Sequence, residues 1–247
     1  MATAAPTKLS PSAITHDRKF YCGVALAMAL TVLVGFAPSF YLRGIFHKPT
    51  PSGMTTLATL TVIHGTLFTT WVLFFILQTT LIARHRVALH RKMGIAGALL
   101  AAAMIVAGTA MAISMARRGG APPGVDPLAF MAVPLGDIFM FTVFVGSALW
   151  LRRNKEAHKR LMVLAYISIL AAAVARLPGV LAHGPFAFYG LTMIFLVMAA
   201  IYDFLSRRRV HAAYVWGGTA LVLSVPGRLL LSATPLWHAF AQALVRR

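Results

Sequence analysis

Seven apolar runs, each about as long as a bilayer is thick, dominate this chain. They fall at about 20–42, 56–83, 92–115, 130–151, 160–182, 185–206 and 212–233. A helix needs roughly twenty mostly apolar residues to cross the hydrocarbon core. No water meets the backbone there, so each run must satisfy its own N–H and C=O groups, which a helix does. Composition agrees: 59% of the 247 residues are apolar and 11% are charged. A soluble domain carries about a quarter charged residues. The expectation is an all-α, polytopic transmembrane bundle of about seven helices.

The few charges are mostly positive. Lys and Arg number 23 against 5 Asp and Glu, a formal net charge of +18. On one face of a soluble fold such an excess would suggest nucleic acid. Here the basic residues stand in short clusters between apolar runs. Nucleic acid is therefore set aside as a partner in favour of a bilayer with anionic headgroups on its cytoplasmic side. A membrane protein partner is also expected. Cytoplasmic loops are enriched in Lys and Arg. Placing the N terminus inside puts fifteen basic residues on the cytoplasmic side and six outside. That favours a multi-pass protein of a bacterial inner (cytoplasmic) membrane, N terminus in and C terminus out.

Residues 1–19 read as a disordered cytoplasmic tail, 20–233 as the transmembrane domain and 234–247 as a short interfacial segment bearing Trp237 and His238. Asp17-Arg18-Lys19 before an apolar run resembles the start of a signal peptide. The run is nearer twenty residues than ten, which makes it an uncleaved first helix. Cys22 is the single cysteine, so neither an internal disulfide nor a CxxC motif exists. Loop 117–128, RRGGAPPGVDPL, is dense in Gly and Pro and must be irregular. Leu89-His90-Arg91-Lys92-Met93 opens the third helix, and Ala157-His158-Lys159-Arg160-Leu161-Met162 the fifth. This weak repeat suggests two related hairpin units, helices 2–3 and 4–5.

An ionisable side chain at membrane depth is costly and is a functional-site candidate by default. His64, Asp137, Arg176, His183 and Arg228 qualify. By helical rise, His64 and Asp137 lie roughly 12 and 10 Å in from their outer ends, and Arg176 and Arg228 roughly 24 Å above their inner ends. His183 caps the fifth helix on the outer side. All five therefore gather in the outer half, beside Tyr41, Thr109, Tyr189 and Thr192. The plain reading is a brace in which Asp137 pairs with Arg176 or Arg228. Two arginines against one aspartate leave positive charge over. An anionic ligand such as a propionate, a lipid headgroup or a carboxylate substrate would neutralise it. Either arginine also has the reach to snorkel to the headgroups.

His64, Trp71 and Gln78 recur every seven residues and share one stripe of the second helix. The favoured reading is an interhelical seam with polar glue; the other is one wall of a cofactor or quinone pocket. His90 and His158 mark the inner entrances of helices 3 and 5, within basic clusters. Such residues commonly anchor the interface beside anionic lipids. Two imidazoles facing each other at one depth would also ligate a b-type haem, and His64 with His183 would form an outer pair. No separate metal site is expected.

These motifs form a series: Ser39-Phe-Tyr-Leu-Arg43, His64-Gly-x-x-Phe-x-x-Trp71, Gln78, Leu89-His-Arg-x-x-Gly94, Asp137, Glu156-x-His158-Lys-Arg-Leu-Met162 and Arg176. Over roughly residues 35–180 the series resembles a widespread family of uncharacterised bacterial multi-pass membrane proteins. The His-x-Arg-x-Met element also resembles one in small membrane proteins linked to cytochrome oxidase assembly. Neither resemblance brings an activity. Cytochrome b561-like proteins, which pair histidines two helices apart around haem, are a more distant likeness. His90 and His158 match that pattern, whereas the partner expected for His64 on the fourth helix is replaced by Asp137.

A retinal protein needs an intramembrane lysine for its Schiff base. The six lysines stand in the tail, the loops or the helix entrances, which excludes one. Walker, GxSxG and HExxH patterns are absent. Five carboxylates leave little equipment for hydrolysis. Three functions remain: an accessory, assembly or scaffold component, which is favoured; a haem b redox protein; and a binder or carrier of a small anion or lipid.

Overall fold

The computed structural model describes residues 11–46 and 58–246. Expectations for residues 1–10, Lys48, the start of the second run at 56–57 and Arg247 fall outside them. Among the described residues the chain is helical, with no strand. Its main helices are α1 (Pro11–Phe36), α2 (Thr59–Ala83), α3 (Val87–Arg117), α4 (Ala132–Trp150), α5 (Lys155–Val174), α6 (Gly184–Arg207), α7 (Ala212–Ser232) and α8 (Pro235–Val245). The seven stretches built on α1–α7 are long and apolar enough to cross a membrane. The protein is an all-α, multi-pass membrane bundle.

Two boundaries differ from the sequence expectation, for physical reasons. The chain is already helical from Pro11, inside the tail expected over 1–19. That first part is anchored, because Asp17 pairs with Lys159 at 2.5 Å and Arg207 at 2.7 Å. Helix α5 occupies 155–174 rather than 160–182. Asn154 starts it by accepting the Ala157 amide, and the Pro178-Gly179 turn, with Gly179 at φ +78°, follows its end. Arg176 therefore sits just beyond the helix.

Helix α5 is the centre of the bundle, touching α1, α4, α6 and α7. It is sheathed nearly all round, with Leu164, Ala165, Tyr166 and Ile167 fully buried. The broadest helix contacts join α4 to α5 and α2 to α3, the two hairpins suggested by the repeat. Small residues permit close crossings: a Cβ on Gly35 would strike the Ala173 carbonyl, and one on Gly97 would meet the Phe74 ring at 2.6 Å. The outside is apolar, with Ile95, Leu99, Val106 and Leu230 each about 70% exposed. Water would penalise such a surface, whereas lipid tails match it. Arg18, the 84–86 turn, the 151–154 turn and the 208–211 turn share one end, the basic end. The 118–131 segment, residues 175–183 and α8 share the far end.

Helix α8 is docked across the far end. Trp237 and Ala241 bury against Ala112, Ala116 and Met131, Trp237 Nε1 donates to the Leu128 carbonyl, and Arg117 caps the Leu244 and Val245 carbonyls. His238 Nδ1 donates to Thr234 O at 3.0 Å, and Nε2 meets Asp126 Oδ2 at 2.9 Å, which requires the charged ring. The Thr234 carbonyl, then Asp126, hold His238 above its usual value. Desolvation pushes the Asp126 carboxyl up, but the His238 bond and the Ala129 and Leu128 amides bring it below the usual range.

The stabilisation from His238 is complete below the ordinary histidine range and disappears as pH rises through its raised value. That from Asp126 is complete above the ordinary carboxylate range and disappears as pH falls through its lowered value. Protection of the α8 amides against hydrogen exchange, corrected for intrinsic rate, is expected to peak in mildly acidic buffer and fall on the alkaline side. In His238→Gln the alkaline fall should vanish; an unchanged profile would remove this pair as its cause.

Candidate functional site

At the basic end, α1, α5, α6 and α7 converge on a network of six charged side chains. Arg160, on α5, and Asp203, on α6, have no solvent exposure. Their contact is bidentate: Nε donates to Asp203 Oδ2 at 2.7 Å and Nη2 to Oδ1. Arg160 Nη1 also reaches Glu156 Oε2 at 2.7 Å. Asp203 takes further bonds from Arg207 and from the His211 backbone amide, which opens α7. Lys159 joins Glu156 to Asp17, and Arg207 returns to Asp17. Three carboxylates meet three cations, so the network is neutral and closed. The Tyr214 ring flanks it 5.7 Å from the Arg160 guanidinium.

Towards the far end, Asp137 of α4 pairs with Arg228 of α7. Tyr189 of α6 donates to Asp137 at 2.8 Å and accepts from Arg228 at 2.7 Å. Arg228 spends its remaining donors on the Ser224 hydroxyl and carbonyl and on Val133 O. Gly136 makes room, since a Cβ there would lie 2.8 Å from the guanidinium.

The five residues grouped in sequence thus separate. Asp137 and Arg228 form a pair; Arg176 does not join it. Its Nη1 donates to Ala172 O at 2.5 Å, and its guanidinium lies 4.3 Å from the Phe36 ring centre. The His64 ring lies against Phe68, with ring centres 4.1 Å apart and planes tilted by 31°. His183 turns to the Gly179 carbonyl instead. Tyr41 donates to Thr69, whose hydroxyl donates to Gly65 O. The expectation that buried charge gathers in the outer half needs correction, because the larger buried network lies at the other end. Arg160 reads in sequence as one of an interfacial basic cluster, and Asp203 as part of a polar helix end. The available signal was scarcity: with five carboxylates in all, one within an apolar run calls for a cation.

Several polar atoms of the stripe on α2 are buried. Among the described residues His64 Nδ1, Trp71 Nε1 and both amide atoms of Gln78 have no hydrogen-bond partner, nor does His90 Nδ1. Buried polar atoms are paired in the great majority of cases, and the seam is paired in part: His64 reaches the Ala107 backbone and His90 the Gln78 backbone across α2 and α3.

His90 of α3 and His158 of α5 come together at the basic end, their ring centres 6.3 Å apart and their planes at 82°. The two helices share no extended packing, so side chains bridge the gap between them. His158 Nδ1 bonds Ala148 O at 2.8 Å, which fixes the ring and leaves Nε2 directed elsewhere. Among the described residues no three His, Cys, Asp or Glu side chains converge on one point.

No protein-family model, no curated protein and no solved structure matches this chain. The fold and sites define a multi-pass membrane protein with two internally paired ionic networks, a pair of facing histidines, and Arg176 at the far end outside both networks. Removing one partner of a buried ion pair leaves a stranded charge, at a cost of about 3–5 kcal/mol. Asp203→Leu is therefore expected to lower thermal stability in detergent sharply, and Arg160→Met/Asp203→Leu to recover most of the loss. A double variant no more stable than the single would show that the pair is not the cause.

Proposed function

We propose that the protein is a redox component of the membrane, in which His90 and His158 would together hold a b-type haem. The separation of the two rings carries this reading. The ring centres lie 6.3 Å apart, close enough for both imidazoles to hold one metal-centred group between them. A bare zinc site takes four ligands, whereas a haem would ask this chain for its two imidazoles alone. The donors are chemically apt: the Ala148 carbonyl orients His158, and His90 Nδ1 is a buried atom without a partner. Arg91, Lys92, Arg152 and Arg153 stand close in sequence to the pair and suit the carboxylates of the propionates. When bound, the group supplies one-electron chemistry; the residues hold it, set its depth and compensate its charge.

A second reading, an accessory or scaffold component without a cofactor, is favoured by the saturation of the ionic networks. All five Asp and Glu side chains are engaged in pairs, which suits a brace better than a reaction. Absorption spectra of purified protein, expressed with haem available, separate the two. The haem reading expects a Soret band that shifts on reduction, disappears in His90→Ala and His158→Ala, and survives in His64→Ala and His183→Ala. A colourless protein would leave the accessory reading.

We infer further that the basic end faces the cytoplasm of a bacterial inner membrane, supported by the excess of Lys and Arg in the turns of that end. A phosphatase reporter fused after Arg247 should then be active, and a reporter silent there but active at the N terminus would reverse the orientation.

A further inference from the structure

We propose that Arg176, assisted by His64, holds a phosphate- or carboxylate-type anion at the far end of the bundle. The inference is independent of the histidine pair at the basic end. It begins with the charge inventory. Asp17, Glu156 and Asp203 are consumed by Lys159, Arg160 and Arg207; Asp137 by Arg228; Asp126 by His238. No Asp or Glu side chain remains for Arg176.

Its own bonds are few. A guanidinium offers five N–H donors; Arg176 uses one on the Ala172 carbonyl and rests on the Phe36 ring. Capping the last turn of α5 explains the first contact, since cations are favourable at helix C-termini. It leaves the outer edge of the planar fork, the edge that matches a phosphate or carboxylate in two parallel bonds. Arg176 is solvent-exposed in the isolated bundle, so this edge is open.

The surroundings are built rather than loose. Helix α1 ends in a π-turn at Ala37–Tyr41, where Pro38 supplies no N–H donor. The wider turn carries Phe40 onto Gly65 and Tyr41 to Thr69, while Phe36 lies under Arg176. A side chain at Gly35 would collide with Ala173 O, so α1 and α5 cross at the site itself. His64 stands next to Gly65, on which the Phe40 ring rests, and among the described residues its buried Nδ1 has no partner. Among the same residues the open edge of Arg176 meets no carboxylate, and the missing group is an anion. An uncharged acceptor would satisfy the donors but leave the cation uncompensated, which is costly near hydrocarbon.

A phospholipid headgroup and a free anion share this chemistry. Native mass spectrometry after exchange from phosphatidylglycerol-containing micelles tests the first. Wild type should retain one phosphatidylglycerol more than Arg176→Gln, with a smaller loss in His64→Gln. Arg118→Gln, an exposed cation of the far-end loop, should retain as much as wild type and so corrects for general basicity. Thermal unfolding with inorganic phosphate tests the second: a rise in Tm that Arg176→Gln abolishes assigns the site to a free anion. Arg176→Lys keeps the charge without the fork and should give an intermediate result in whichever assay responds. Equal lipid retention by wild type, Arg176→Gln and His64→Gln, together with no phosphate-dependent rise in Tm, would overturn the proposal.

Discussion

Arg160 and Asp203 meet where solvent reaches neither, and much of the bundle is arranged to keep them together. A charge taken out of water is tolerable only beside its partner and with its remaining donors and acceptors filled. That demand draws α5 and α6 into contact, recruits Glu156 and Arg207, and through Asp17 brings the start of α1 into the cluster. The His211 amide adds the start of α7. Side-chain packing along α5 then fills what the ionic contact has positioned.

Asp137 and Arg228 repeat the device nearer the other end, with α4, α6 and α7 as the participants. The two clamps share α6 and α7 and secure them against the rest of the bundle at two levels. Between and beside the clamps lie the groups that packing does not explain: the histidine pair, the partly paired stripe of α2, and Arg176. These groups are free to meet a ligand, whereas the clamps already have complete local partners.

The helical architecture was legible because hydrocarbon imposes a coarse length rule that any reading of apolar runs detects. Asp137 and Arg228 were legible as unlikely lipid-facing residues, and the equal depth of His90 and His158 followed from matching helix entrances. Partner choice was harder to read. Nothing along the chain says that Arg228 rather than Arg176 reaches Asp137; the difference comes from α5 ending before Pro178 and from the space above Gly136. Arg160 was hidden by company, since Lys159 and the nearby arginines make it resemble a headgroup anchor. Depth in a bundle depends on which neighbours surround a helix, and that is a tertiary property.

The far-end clamp has a consequence for biogenesis. Asp137 and Arg228 are separated by 91 positions, and chains are synthesised at about 5–20 residues per second, so Asp137 precedes its partner by about 5–20 s. A lone aspartate at mid-helix makes insertion less favourable by about 2.5–3.5 kcal/mol. During that interval α4 has to be sheltered by water or by the insertion machinery, because its permanent counter-ion has not yet been made. The seventh helix thus completes the neutralisation of the fourth, and a chain cut before α7 would hold an acidic group at membrane depth without its counter-ion.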